Sequence, residues 1–600
     1  MFALARFFKV KLSVPPVSGP SSSLRHTVHV PFRTMTSFYS DRDRKVGRGY
    51  DTLMLKLLAQ FGDDFGFNLD VELYRDYALT QTAILDVPEQ SKCNRKAAQM
   101  RQDGNRLYVA KKFDDALLKY NESICFAEAD SDQLAMGYAN RSAVYFEQGE
   151  FEFALANIAL AKRHKYPENL MPKLVAREHN CWEKVEAKEK FHFSRMAINV
   201  NVNPKIPFVA DGIAMKVYND EHGRGLIAEK DFQAGAVIMN EKAVLTLTTL
   251  DAQYSNCGHC SVKLTYNLIP CPGCVSMLYC SEECLQENER FTHRFECAIA
   301  DKLRNVMDYS TMIGPKQFFY GLTLFGDDVQ AMMDYCNGEA GKGVGNPFEL
   351  DFRKKDLLEQ FKVMQKGGVH HITEVDYTYR VSAAAFYAQF MKHPLVSKIV
   401  KTKAQRDFML HTFLKYIRSC YTLIMDKRVG HMHGPTVSML TFVGALCNHS
   451  CDPNVFFSTR NGRYTLIVLR PIRKGEQIVT SYGPTWWEPC PGYKCTYTCR
   501  CPVCMKTNWT LKKKEFPQAA YRHLLLITAA THSTTGVINN ADQLNMAQQF
   551  VNRYAENYHP GEVFGAAIRI YRQFLNAGLN LAETKLEQMR AVAFWEAFDD

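Results

Sequence analysis

No run of about 18 consecutive apolar residues occurs in the chain, so no segment has the length and apolarity of a membrane-spanning helix. Secretory features are also missing, which argues against reading its cysteines as a disulfide framework. Acidic residues are absent before Asp41, where Arg6, Lys9, Lys11, Arg25 and Arg33 accompany Phe2, Leu4, Phe7, Phe8 and Leu12. A Pro/Ser-rich stretch follows. This basic leader, 1–40, reads either as a disordered segment, bypassed by starting at Met35, or as a mitochondrial presequence. A large charge excess is lacking too. A formal +10 spread over 600 residues suits an acidic partner or a chromatin setting without itself defining a nucleic-acid binder.

What the chain does have is cysteine, 19 in all, in a composition that is 46% hydrophobic and 23% charged. That composition is globular, with length enough for several cores. Seven of the cysteines and one histidine follow C-x2-C-x10-C-x2-C-x5-C-x3-C-x8-H-x3-C over 257–297. Paired soft ligands from tight turns are zinc chemistry, and eight ligands serve two tetrahedral ions. The natural pairing is cross-braced. Cys257, Cys260, Cys280 and Cys284 hold one ion; Cys271, Cys274, His293 and Cys297 hold the other. So short a segment cannot bury enough apolar surface to fold alone, and metal binding supplies its folding energy. Five more cysteines fall at Cys490, Cys495, Cys499, Cys501 and Cys504. Thiols explained as ligands point to a reducing compartment.

From Lys96 to about Lys188 the pattern is helical. Gly104, Tyr108, Phe113, Ala116, Tyr120 and Ile124 mark one helix pair with a turn at Lys111 and Lys112. Tyr138, Ala139, Ala143, Tyr145, Gly149, Phe151, Ala154, Ile158 and Ala161 repeat it at close to the roughly 34-residue tetratricopeptide period. A third unit begins near Pro167. An ordinary helical bundle is the alternative; stacked repeats would offer a concave surface for peptide partners. Around Phe208 the texture turns to short β-rich runs: 210–217, 236–239 and 244–247, with Gly235 at a turn. The cysteine cluster interrupts them. Residues 303–442 read as mostly helical, with a long helix over 404–424. β-rich runs return at 455–458, 464–469 and 477–480, and helical character dominates beyond Phe516.

The densest polar block is Cys447-Asn448-His449-Ser450-Cys451-Asp452-Pro453-Asn454, directly after the apolar run 440–446. Gly475-Glu476-Gln477-Ile478-Val479-Thr480-Ser481-Tyr482-Gly483 follows about thirty residues later. Cys499, Cys501 and Cys504 supply only three thiols, and a closed zinc site needs a fourth ligand. Cys451 is the best donor, tying these cysteines over the Asn-His turn. A third zinc is therefore expected.

In combination these motifs resemble the SET- and MYND-domain protein lysine methyltransferases, and the helical repeats resemble the subfamily with N-terminal tetratricopeptide repeats. The resemblance rests on Gly223-Arg224-Gly225, the block from Asn448 to Asn454, Gly475-Glu476 through Ser481-Tyr482, and the cysteine-rich finger, and covers most of 90–600. It implies an α+β multidomain architecture. A TPR-like helical domain occupies 90–195, a first SET segment 205–250, a MYND-type finger 257–297, and a helical SET insertion 298–440. The SET catalytic core then covers 441–484, post-SET 485–511, and a helical C-terminal domain 515–600. It also implies S-adenosylmethionine as cofactor, held by the His222-Gly223-Arg224 turn, Asn448, His449, Tyr482 and Tyr497. Tyr482 is the expected catalytic side chain, placed to orient an incoming lysine amine. Positioning and electrostatics can carry much of such a rate.

Two departures stand out. Cys495 replaces an aromatic that the family usually has, and Arg418-Ser419-Cys420-Tyr421 lacks the family's cofactor-contacting asparagine. Tyr421 could compensate by stacking. Two readings follow: a zinc-containing protein lysine N-methyltransferase acting on histone or other proteins, or a catalytically weak adaptor that docks partners through repeats and finger. The intact Asn448-His449 turn and Tyr482 favour the first, the departures the second. A zinc-dependent DNA-binding regulator would leave the SET residues unused. The basic residues Lys263, Arg290 and Arg294 are sparse and lack a stacking array for nucleic acid. A monomer in cytoplasm and nucleus is expected, with a mitochondrial destination as the alternative.

Overall fold

The computed structural model describes residues 48–61, 70–185, 196–218, 223–248, 252–306, 311–366, 376–420, 424–425, 437–489, 499–505, 510–512, 515–529 and 541–599. The basic leader, His222, Tyr421, Cys490, Cys495 and Tyr497 lie outside these residues. Two helices that the sequence pattern left unassigned come first, α1 (Arg48–Phe61) and α2 (Val71–Thr80). Tyr50, Leu53, Met54 and Leu57 recur at helical spacing on α1 and are buried in the largest core.

Antiparallel helix pairs follow: α3 (Asn94–Val109) with α4 (Phe113–Phe126), then α5 (Asp132–Glu147) with α6 (Phe151–Arg163), then α7 (Met171–Trp182). Small residues permit their close approach. A Cβ on Gly104 would lie 2.5 Å from the ring of Tyr120, so only glycine lets α3 sit this near α4. Sequence alone reads these helices as offering a docking surface, and the chain's own segments cover part of their surface. Tyr138 Oη donates to the Leu268 carbonyl at 2.7 Å, and the buried Arg141 guanidinium donates to the Leu264 and Thr265 carbonyls at 3.0 and 2.7 Å. Ala591 and Trp595 of the last helix pack into the cluster of Tyr120, Tyr145 and Phe153.

Three small sheets carry the β-rich runs, and a two-stranded ladder lies in the cysteine-rich segment. The first sheet orders its strands β1 (Ile213–Val217), β2 (Arg224–Ala228), β12 (Gln477–Thr480) and β9 (Asn448–His449). β1–β2 and β2–β12 are antiparallel, while β12 and β9 run parallel with Val479 opposite Asn448 and Thr480 opposite His449. In the second, β11 (Arg463–Val468) lies between β10 (Val455–Ser458) and β3 (Val237–Lys242). β4 (Leu245–Thr248), β8 (Val437–Leu440) and β7 (Ile424–Met425) form the third. β5 (Ile269–Pro270) and β6 (Leu278–Tyr279) brace the cysteine-rich segment, which continues into α8 (Glu282–Phe291). The expected helix over 404–424 is shorter. It ends at Cys420, because Ile424 and Met425 add an edge strand opposite Val437 and Ser438.

Between β4 and β8 run α9 (Ile313–Leu324), α10 (Asp376–Phe390) and α11 (Lys403–Cys420), knit by Phe318, Phe319, Phe386, Phe390 and Phe413. No described helix is long and apolar enough to cross a membrane. On the other side of the second sheet, Val237, Phe456 and Ile467 meet Trp487, Phe516, Phe550, Phe564 and Tyr571. The last four belong to the C-terminal region, where α12 (Gln518–Ala529), α13 (Ala541–Tyr558) and the 38-residue α14 (Glu562–Asp599) lie. α14 thereby spans from the second sheet to the paired helices α4–α6. Trp595→Ala should lower the unfolding free energy by about 3 kcal/mol, the scale of a large core truncation. Equilibrium denaturation checks this, and an unchanged midpoint would show that the contact is superficial.

Candidate functional site

The site grows from the short parallel ladder of β9 on β12. Asn454, 1% exposed, presses the polar block against β12: its Oδ1 accepts from the Val479 N–H at 2.9 Å and its Nδ2 donates to the Gln477 carbonyl at 2.8 Å. The Ser450 N–H adds a bond to the Thr480 carbonyl at 2.8 Å. Two segments far apart in sequence are thus held side by side, which delivers Asn448 and His449 beside Tyr482.

His449 Nδ1 accepts from the Tyr482 N–H at 2.9 Å, so Nε2 carries the ring proton, facing the Cys451 sulfur at 3.3 Å. Burial pushes the imidazole down to about 4, which keeps it neutral. The Tyr482 hydroxyl donates to the Cys447 carbonyl at 2.7 Å, and burial pushes the phenol upward. It therefore stays protonated near neutrality and works as an oriented dipole, not as a phenolate base.

Asn448 Nδ2 donates to the Arg224 carbonyl at 3.0 Å, joining β9 to the start of β2 across β12. Gly223 sits at φ +61 with nothing within 4 Å of a Cβ placed there. Gly225 is the opposite case. An added Cβ would come within 2.5 Å of Gln477 Nε2 and 2.6 Å of Asn448 Nδ2. Gln477 Nε2 is buried without a hydrogen-bond partner. Glycine at 225 lets the two carboxamides pack directly on β2, and the unsatisfied Gln477 amide leaves a polar group for a bound polar molecule to meet. Arg224 also has a structural contact. Its guanidinium donates to the Gly345 and Lys366 carbonyls at 2.8 and 3.3 Å, tying β2 to the helical region between β4 and β8.

Sequence reasoning missed Glu241 on β3. This carboxylate, 1% exposed, accepts from the consecutive backbone N–H groups of Phe442, Val443 and Gly444, the last at 2.8 Å. It anchors the turn that leads into Cys447 and Asn448. A lone acid beside an apolar run was its only sequence signal. Also missed was the seat of Asp452, which accepts from Trp486 Nε1 at 2.8 Å and pairs with His559 Nε2 at 2.9 Å. The C-terminal helical region is thereby bolted to the polar block.

Three ligand groups converge: Cys257, Cys260, Cys280 and Cys284; Cys271, Cys274, His293 and Cys297; and Cys451, Cys499, Cys501 and Cys504, with ligand atoms within 4.8 Å of one another in each. A tetrahedron with bonds of about 2.3 Å has edges of about 3.8 Å. The Cys260–Cys280, Cys271–Cys297 and Cys451–Cys499 sulfurs stand 3.5, 3.8 and 3.9 Å apart. Each donor set thus fits a tetrahedral zinc. Hydrogen bonds from neighbouring thiols push Cys257 and Cys284 down in the first group, Cys271 in the second and Cys501 in the third, foremost from Cys257 for Cys284, Cys274 for Cys271 and Cys451 for Cys501.

With this geometry in hand, comparison with known proteins shows what the chain is similar to. The SET domain family matches residues 223–483, the span from the Gly223 turn to just beyond Tyr482. Among curated proteins, the chain is similar to protein-lysine N-methyltransferase SMYD4 of Homo sapiens, 24% identical over 508 residues, covering 64% of this chain and 63% of that protein. The Danio rerio SMYD4 is 24% identical over 276 residues, 41% of this chain and 36% of that protein. N-lysine methyltransferase SMYD2 of Homo sapiens is 23% identical over 266 residues, 43% and 52% of the respective chains. The match thus spans 36% to 63% of the length of these relatives.

Two outcomes follow. Burial pushes the Glu241 carboxyl up to about 7, although the Gly444, Phe442 and Val443 amides oppose the shift. The folded state then binds this proton more tightly than the unfolded chain. Its contribution to stability is complete below the ordinary carboxyl range and is lost as the pH rises to about 7. Glu241→Gln should remove that slope from the stability-versus-pH curve; an identical slope in the variant would contradict the assignment. Metal analysis should find three zinc ions per wild-type chain, and Cys451→Ser should lose one ion while retaining two. A full complement in the variant would show that Cys451 is not a ligand.

Proposed function

We propose that the chain is an S-adenosylmethionine-dependent protein lysine N-methyltransferase. The observation that carries this reading is the convergence of Asn448, His449, Gly225 and Tyr482 around the first sheet within the SET match. The relatives named as lysine methyltransferases support the substrate class.

Asn448, His449 and the Gly223-Arg224 turn would hold the cofactor, with His222 and Tyr497 as further contacts. Bound there, it supplies an electrophilic methyl group on a sulfonium. The rest is work for the chain's own residues. A lysine amine, with an ordinary pKa of about 10.4, must shed its proton before it can act as a nucleophile, and desolvation favours that loss. A protonated Tyr482, pinned by the Cys447 carbonyl, offers its oxygen to orient the neutral amine. The neutral His449 holds the Tyr482 backbone in place without adding a charge.

The paired helices α3–α7 are read as tetratricopeptide-like and the cysteine-rich segment as MYND-type. In this reading both brace the site, since their shared face is occupied within the chain.

Labelled cofactor offered with a broad protein or peptide library tests the proposal. Wild-type protein should label lysines. Tyr482→Phe should slow transfer by about 100-fold, the scale of losing one oriented polar group at a reacting centre, with cofactor affinity nearly unchanged. Binding of cofactor without labelling of any protein would favour the adaptor reading.

A further inference from the structure

Helix α9 is buried over most of its length, and Lys316 within it is 3% exposed. An ammonium in such a place is costly unless paired. Its partner is Glu296, 2% exposed, at 2.7 Å between Nζ and Oε1. The other carboxylate oxygen faces His293 Nδ1 at 3.6 Å. His293 is fully buried; its Nδ1 makes no hydrogen bond, while its Nε2 stands 3.2 Å from the Cys271 sulfur and 3.5 Å from that of Cys274. A continuous line therefore runs from the second ligand group through His293 and Glu296 to a lysine outside the cysteine-rich segment.

Charge explains why the lysine is needed. Three thiolates and a neutral imidazole around a zinc ion leave a net charge of about −1. A buried carboxylate beside them doubles that charge, yet a metal-bound histidine needs an acceptor on its other nitrogen to fix tautomer and ring orientation. Lys316 cancels the added charge and holds the carboxylate facing the ring.

We infer that Lys316 is a positioning residue for the zinc ion of Cys271, Cys274, His293 and Cys297, acting through Glu296 and His293. The proposal rests on the zinc reading of the cysteine groups and not on the methyltransferase reading. It makes metal retention in the cysteine-rich segment depend on a helix of the neighbouring helical region.

The test uses full-length zinc-loaded protein, with zinc counted per chain and its release followed with a chromogenic chelator. In Lys316→Met, one of the three ions should be bound about 10- to 100-fold more weakly, the usual loss for an outer partner of a metal ligand, while the other two behave as in wild type. The double variant Lys316→Met/Glu296→Gln keeps an acceptor for Nδ1 and removes the unpaired carboxylate. It should retain the ion better than Lys316→Met alone, and it decides the matter where the single variant fails to fold. Wild-type release kinetics in Lys316→Met, or a double variant that holds the ion no better than the single one, would overturn the inference. Wild-type protein that holds no zinc in this segment would instead refute the metal reading beneath it.

Discussion

The two hydrogen bonds between the Asn454 carboxamide and β12 fix the geometry on which the site depends. Because they are satisfied inside the protein, where an orphaned amide is costly, the polar block has one place to lie. From that placement follow the parallel ladder at Asn448 and His449, the seat of Tyr482 on His449, and the approach of Cys451 to Cys499, Cys501 and Cys504. Asp452 carries the same segment to Trp486 and His559. Helices at the C-terminal end are therefore part of what holds the site in place.

The surroundings are built from buried charges that are each answered locally. Glu241 is met by three backbone donors, and Lys316 by Glu296. Asp376 accepts from both Arg418 and Arg380. Such pairs are weak sources of net stability, but removal of one member leaves an uncompensated charge. Their value here is placement. Glu241 fixes the turn before Cys447, whose carbonyl receives the Tyr482 hydroxyl.

Motifs governed by local geometry were readable in the sequence. Ligand spacing in the cysteine-rich segment reflects the short turns that bring thiols onto one ion, so the pairing could be written down directly, and the ligand atoms converge in the same groups. The runs 455–458 and 477–480 coincide with strands because the first is mostly buried within a small sheet and the second alternates between buried and less buried positions. What sequence could not show was set by distant partners. No spacing rule ties Lys316 to Glu296; the fold brings them together. The face of α3–α7 reads as free until Trp595, more than four hundred residues from α6, is seen packed there. Ile424 reads as the last residue of a helical pattern until β8 offers it an edge.

The proposed function requires that the Gly223–Gly225 turn, packed against Asn448 and Gln477, receives the methyl donor. Calorimetric titration of zinc-loaded protein with S-adenosylhomocysteine, in wild type and in Gly225→Ala, tests it most directly. The account predicts one site per wild-type chain, and loss of binding in a variant that remains folded. Equal affinity in both proteins would contradict it.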